Sequence, residues 1–293
     1  MDVHRFRGRD GHELAYREIG SGRPLVLLHG FTGDSAQWID SGPARLFADH
    51  GYRVILPDLR GHGQSTHTKH HPHTGHHRHA RAGCGADARA GCDADVLADD
   101  GLALVEQFGG CGLEGDYDLG GCSLGGRVVV RMLARGARPG RAIVACQGLA
   151  AVTAPRADGL REVLTALVDG DPPPDVEAAY WIKQGGNDPE ELLRVLDTHV
   201  PTSETALRQI TTPTLVMIGD QDNANADELA AALPNGQFVR VPGNHYTSLG
   251  SPEFAEAALG FLNARRNVTQ ASTVGRPRRG GSSAAGSPGP LGG

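Results

Sequence analysis

The chain has no excess of basic residues. Lys and Arg number 28 against 34 Asp and Glu, for a formal net charge of -6. Without a basic face to neutralise phosphates, a nucleic-acid partner is not expected. No apolar run reaches the roughly 20 residues that span a bilayer, so no membrane partner is expected either. The stretch Met1-Asp-Val-His-Arg-Phe-Arg7 holds no apolar core of the kind a secretory leader needs. Cysteine is scarce and odd in number: Cys84, Cys92, Cys111, Cys122 and Cys146. In a chain of 293 residues with no expected leader, that argues against a disulfide framework. A soluble cytoplasmic protein is therefore expected, in which the glycosylation match Asn267-Val-Thr269 has no secretory context. What is present is 39% hydrophobic, enough for one large domain with a sizeable core.

Strand and helix signals alternate along most of the chain. Residues 5–19 read as a hairpin turning at Arg9-Asp-Gly11. Pro24–Leu28 is an unbroken apolar run, as for a strand buried on both faces, and Tyr52–Leu56 is another. Ala44–His50 reads as a helix stopped by Gly51. After Ala94–Phe108, an amphipathic helix, come a strand at Asp116–Leu119, a helix at Leu124–Arg135 and a strand at Arg141–Cys146. Strands at Thr214–Ile218 and Gln237–Val241 precede helices at Asp227–Leu233 and Pro252–Leu262 in that order of pairing along the chain. This alternation predicts an α/β fold: a mostly parallel central sheet with helices on both faces.

Three segments break the pattern. Residues 66–93 are poor in apolar side chains, crowded with histidine (His67, His70, His71, His73, His76, His77, His79), and carry the short repeat Ala80-Arg-Ala-Gly-Cys84, Ala88-Arg-Ala-Gly-Cys92. Such a stretch buries too little to order itself and reads as an inserted loop. Its histidines and cysteines could bind Zn²⁺ or Ni²⁺, but the spacing matches no fixed ligand framework, so no metal site is assigned. Residues 148–210 turn helical and irregular around Pro172-Pro-Pro174, which suggests a small helical lid over a core made of residues 1–147 and 211–264. Residues 265–293, rich in Gly, Ser, Pro and Arg, read as a disordered tail.

Asp116 to Arg127 carries the chemistry. It contains Gly121-Cys122-Ser123-Leu124-Gly125, a G-x-S-x-G motif between a predicted strand and a predicted helix. The glycines fit the crowding of a sharp turn, and the helix starting at Leu124 aims its N-terminal amides at the serine. Cys122, beside the serine, reads as a small buried residue.

With this motif in its strand–turn–helix setting, the chain resembles the α/β-hydrolase superfamily over roughly Val3 to Leu262. The resemblance implies the α/β-hydrolase fold and a triad ordered nucleophile, acid, histidine along the chain. Ser123 takes the first place. Thr214-Leu-Val-Met-Ile-Gly-Asp-Gln-Asp222 offers two acids, of which the family spacing selects Asp222 over Asp220; Val241-Pro-Gly-Asn-His245 supplies the histidine. It also implies an oxyanion hole from two backbone amides, Phe31 in the loop after His29-Gly30 and Leu124 after the nucleophile. Asp58-Leu-Arg-Gly-His-Gly-Gln-Ser65 also resembles a family segment, read here as shaping a loop.

The residue types suit acyl transfer. A serine hydroxyl is a poor nucleophile until a base takes its proton. Histidine titrates near neutrality, which places an activity limb near its ordinary pKa of about 6.5. A buried carboxylate fixes the imidazole tautomer. The expectation is a serine hydrolase of a carboxylic ester or related acyl compound, with a small-molecule acyl substrate and no metal or organic cofactor. Thioesterases, lactonases, carbon–carbon bond hydrolases and perhydrolases of the family share this triad, and a small-molecule receptor on the same scaffold is the alternative from a different class. Trp38, Tyr180, Trp181 and Tyr246 are candidate pocket walls and equally good core aromatics. The sequence does not reveal the substrate or the oligomeric state.

Overall fold

A computed structural model describes residues 1–65, 95–109, 115–154 and 159–274, the last ten of these as helix backbone. The His-rich segment 66–93, with Cys84 and Cys92, lies outside the described residues, as do Cys111 and residues 275–293.

Eight strands form one sheet: β1 (His4–Arg7), β2 (Glu13–Gly20), β3 (Arg23–Leu28), β4 (Tyr52–Pro57), β5 (Asp118–Cys122), β6 (Ala142–Ala145), β7 (Thr214–Gly219) and β8 (Gly236–Val241). Their order across the sheet is β1-β2-β4-β3-β5-β6-β7-β8. β1 pairs antiparallel with β2, and β2 with β4; every other pairing is parallel. The helices are α1 (Gln37–Asp40), α2 (Pro43–Asp49), α3 (Val96–Gly109), α4 (Leu124–Ala134), α5 (Leu149–Thr153), α6 (Gly159–Asp169), α7 (Val176–Gly185), α8 (Pro189–Asp197), α9 (Glu204–Leu207), α10 (Ala226–Ala232) and α11 (Pro252–Val274).

Why the central strands lack an apolar–polar alternation is visible in the core. Successive side chains of a strand point to opposite faces, and here both faces are covered. Val26 and Leu28, with Ile55, Leu119, Val144 and Val216, pack with α3, α4 and α10. Leu25 and Leu27, with Val54, Leu56, Ile143, Leu215 and Met217, pack with α2 and α11. Helices therefore lie on both faces, as the alternation of elements predicts. The N-terminal ends of the central strands are tied by Arg23, which donates to the Asp118 carboxylate (2.5 and 3.0 Å) and to the Gly115 and Tyr117 carbonyls.

Two boundaries differ from the sequence expectation. β5 runs through Gly120 and Gly121 to Cys122, past the expected end at Leu119. Glycine is a weak strand former, but here it is required. A Cβ on Gly120 would stand 2.8 Å from the Leu27 side chain, and one on Gly121 would overlap the backbone of Gly125. At the other end, α11 does not stop at Leu262 but continues to Val274, into the segment 265–293 expected to be disordered. No glycine or proline intervenes between Gly260 and Gly275, so nothing local ends the helix earlier.

Candidate active site

The site grows out of the β5–α4 turn. Ser123 has φ 52° and ψ -114°, a conformation an L-residue keeps only when its surroundings over-determine it. Those surroundings are backbone. A Cβ on Gly125 would overlap the Leu28 carbonyl and come within 2.7 Å of the His29 oxygen. The Gly125 amide donates to the His29 carbonyl (3.0 Å), and the Ser123 amide to that of Ala145 (2.8 Å). The two motif glycines are thus places where α4 is pressed against β3 and β5.

β7 and β8 bring the other two groups to the same end of the sheet. His245 follows β8, and its Nε2 lies 3.0 Å from Ser123 Oγ. Its Nδ1 lies 2.8 Å from Asp222 Oδ2, in the loop after β7. The second Asp222 oxygen accepts from the Ala224 amide (3.2 Å). Asp220, the acid passed over, turns to the backbone instead and accepts from the Gly243 amide (3.0 Å). Burial works against charge on both members of the pair, and their mutual bond outweighs it. The Asp222 carboxyl is held below its ordinary range by His245 and the Ala224 and Asn223 amides. His245 is pushed up by its bond to Asp222 and by attraction from Cys146 and Asp222. This moves the histidine titration above the 6.5 expected from sequence.

A second layer fixes the loop after β3. His29 is fully buried, and burial keeps it neutral. Its Nε2 accepts from the Leu59 amide (2.9 Å), so its Nδ1 carries the proton, 2.7 Å from the Gly30 carbonyl. In a trans peptide the C=O and the N–H point in opposite directions. Holding the Gly30 carbonyl toward His29 therefore turns the Phe31 amide away from it. Among the described residues neither that amide nor the Leu124 amide donates to another group, and both residues line the cavity beside Ser123. Burial and the neighbouring His29 keep His62 neutral, with its pKa lowered to about 4; its Nε2 lies 2.9 Å from the Phe31 carbonyl. Asp58 accepts from the Ser35 (2.7 Å) and Gln64 (2.8 Å) amides. The segment 58–65 thus shapes the loop carrying Phe31, as read from sequence. His62 and Gln37, whose Oε1 accepts from the Gly30 amide (2.7 Å), were not singled out in the sequence. A Gly-His-Gly triplet between a buried strand and a polar loop was the one available signal for His62.

Of the four candidate wall aromatics, two face the site. Trp181 of α7 stacks on Tyr246 with centroids 5.0 Å apart at 16°, and Tyr246 meets the His245 ring edge-on at 5.4 Å. Trp38 does not line the site. It is 1% exposed, packs near Phe254, and donates from Nε1 to the Leu28 carbonyl (3.1 Å), bracing the elbow from behind. Tyr180 is 53% exposed and touches Trp181 by its edge. On a helix, adjacent residues point about 100° apart, so Tyr180 and Trp181 cannot both face one site. Cys122 is buried, as expected.

Two cavities meet at Ser123. One, of about 230 Å³, lies between α4 and the helices α6 and α8; Phe31, Leu124 and Arg127 line it. The other, about 580 Å³, is bordered by His245, Tyr246, Trp181 and Gln37. Asn187, just after α7, joins the overlying helices to the core: its Nδ2 donates to the Gly33 carbonyl and its Oδ1 accepts from the Gly63 amide, both at 3.2 Å. Among the described residues no group of three or more His, Cys, Asp or Glu could hold a metal ion. Nor is any helix among them long and apolar enough to cross a membrane.

The sheet, with Ser123 in the turn between a parallel strand and a helix, places the protein in the α/β class. More narrowly, the chain belongs to the alpha/beta hydrolase fold family, whose sequence model matches residues 23–170. It is similar to the non-heme chloroperoxidase CPO-A1 of Kitasatospora aureofaciens, 45% identical over 58 residues, 20% of each chain. It is 36% identical over 134 residues to a non-heme chloroperoxidase of Streptomyces lividans, covering 45% of this chain and 39% of that one. The chain thus matches well under half the length of these relatives. In fold it resembles a thermophilic esterase of Thermogutta terrifontis (TM-score 0.65, 23% identity, 90% of this chain and 98% of that one). It also resembles an enol-lactonase of Burkholderia xenovorans LB400 (TM-score 0.62, 22% identity, 89% and 100%). At these identities the likeness concerns the fold alone.

Proposed function

We propose that the protein is a serine hydrolase of carboxylic esters or closely related acyl compounds. The observation that carries this reading is the unbroken chain Ser123 Oγ, His245 Nε2, His245 Nδ1, Asp222 Oδ2 at 3.0 and 2.8 Å. Ser123 Oγ bonds to the acyl carbon while its proton passes to His245 Nε2. The tetrahedral oxyanion takes hydrogen bonds from the Phe31 and Leu124 amides, each worth about 2.7–4 kcal/mol in well-studied cases. As the bond to the alcohol breaks, His245 returns the proton to the leaving oxygen. Water then attacks the acyl-enzyme by the same route in reverse and releases the acid. Asp222 holds the imidazole tautomer and stabilises its charge. No step requires a cofactor or metal. Residues 148–210 act as a lid on the core, with Trp181 and Tyr246 walling the leaving-group side.

The haloperoxidase names among the relatives favour a second reading, in which hydrogen peroxide replaces water as the acyl acceptor and a peracid leaves.

The test is a panel of p-nitrophenyl acyl esters, lactones and thioesters, with and without peroxide, on wild type and Ser123→Ala. The variant is expected to lose roughly 10⁶-fold in kcat, as nucleophile removal does elsewhere. Undiminished turnover in Ser123→Ala would remove the proposal.

A further inference from the structure

Resting on the hydrolase reading, we infer that the smaller cavity takes an acyl chain that itself ends in a carboxylate, with Arg127 as the specificity residue that receives it. The substrate class is the half-ester of a short dicarboxylic acid.

The two cavities differ in the groups that border them. His245 must hand its proton to the leaving oxygen, so the leaving group sits on the His245 side. His245 borders the larger cavity and is absent from the smaller one. The acyl chain is left with the smaller, between α4 and α8. At about 230 Å³ it falls short of the roughly 300–1,000 Å³ of sites for drug-sized ligands, which suits a short chain.

The smaller cavity is also charged. Arg127 sits four residues after Ser123, about 6 Å along α4, and its amide donates to the Ser123 carbonyl (3.1 Å). Side chains of a helix lean toward its N-terminus, here toward the serine. Its neighbour one turn on, Arg131, is neutralised: Nε meets Asp95 Oδ2 at 2.8 Å, and Asp95 also receives Arg135 at 3.1 Å. Arg127 has no such partner. Among the described residues no carboxylate pairs with it, its buried Nε has no hydrogen-bond partner, and burial alone acts on its pKa, lowering it. Arg127 is partly buried on the wall of this cavity, so solvent screens its charge incompletely and a carboxylate entering the cavity would gain by pairing with it. Among the described residues, Asp95, Arg127 and Arg131 together leave one net positive charge on the wall beside Ser123. A planar carboxylate accepts two parallel N–H bonds from such a group.

The experiment compares monoethyl glutarate with its neutral isostere, the ethyl ester of glutaramic acid. Both are given to wild type, Arg127→Met and Arg127→Lys, and ester cleavage is followed by titration of released acid. Wild type is expected to prefer the anionic ester. In Arg127→Met the ratio of the two kcat/KM values should fall about 10- to 100-fold, the worth of a charge-assisted hydrogen bond, and Arg127→Lys should restore part of it. An unchanged ratio in Arg127→Met would overturn the inference. A second arm needs no turnover: glutarate should raise the Tm of wild type and not that of Arg127→Met, and equal shifts would count against the site. The methionine variant is expected to fold with a Tm close to wild type, since methionine keeps most of the apolar stem of this partly exposed side chain. If wild type cleaves neither these esters nor any member of the p-nitrophenyl, lactone and thioester panel, yet glutarate binding still depends on Arg127, the hydrolase reading falls and the anion site stands.

Discussion

The loops at the carboxyl ends of the strands and the helices lying over them are built by different rules. Around Ser123, polar groups are held by short, redundant bonds. His29 is fixed at both nitrogens, Asp58 at both oxygens, and His245 between a hydroxyl and a carboxylate. Between β6 and β7 the helices are mainly capped locally. Asp175 starts α7 by accepting from the Ala178 amide (2.9 Å), and Asp188 starts α8, with Pro189 in its first turn, by accepting from that of Glu190 (3.0 Å). Their ties to the core include Asn187, the Trp181–Tyr246 stack, and the close approach of Gly185 to the Thr32 carbonyl. Under the proposed reaction, the loops would carry the chemistry and the helices would govern access to it.

The largest test of that division lies in the loops. Asp222→Asn should keep the fold and lower kcat by about 10³- to 10⁴-fold, because the amide favours the wrong imidazole tautomer. Loss of only a few-fold in a steady-state assay would mean that Asp222 is not the orienting group. Next comes the pH profile. His245 must be neutral to act as base, and its pKa is raised in the folded protein. Activity is therefore lost as pH falls through that raised value: log kcat/KM should climb by about one unit per pH unit through a limb above 6.5 and then level off. Removing the Asp222 carboxylate takes away the largest of the effects that raise the pKa, leaving burial opposed only by Cys146, so the limb should move down in Asp222→Asn. A limb unmoved by that change would contradict the pairing. The smallest effect belongs to the helices. Trp181→Ala should raise KM about 2- to 10-fold, the worth of one aromatic pair, with kcat little altered. A large fall in kcat with KM unchanged would erase the distinction between the regions.

The same contrast explains what could be read from the sequence. Pro24–Leu28 and Tyr52–Leu56 stand out because a strand covered on both faces must be apolar throughout. Ser123 stands out because backbone crowding admits only glycine at 121 and 125. Asp222 and His245 needed the family's ordering as well, since Asp220 stands two residues away with its own backbone partner. The overlying helices are legible as helices from their caps and amphipathic faces, but not by what they cover. Trp38 and Trp181 look alike in sequence, yet one braces the elbow from inside the core and the other walls the site. Arg127 is not legible for a related reason: a cation on a helix reads as a solvated face, and only the fold puts it on a cavity wall beside Ser123.

The central claim is that His245 and Asp222 activate Ser123. The most direct test is labelling with a fluorophosphonate, followed by intact mass and peptide mapping. The account predicts one adduct, on Ser123, formed rapidly in wild type, far more slowly in His245→Ala, and absent in Ser123→Ala. A wild-type protein that stays unlabelled, or that carries the adduct on another residue, would contradict it.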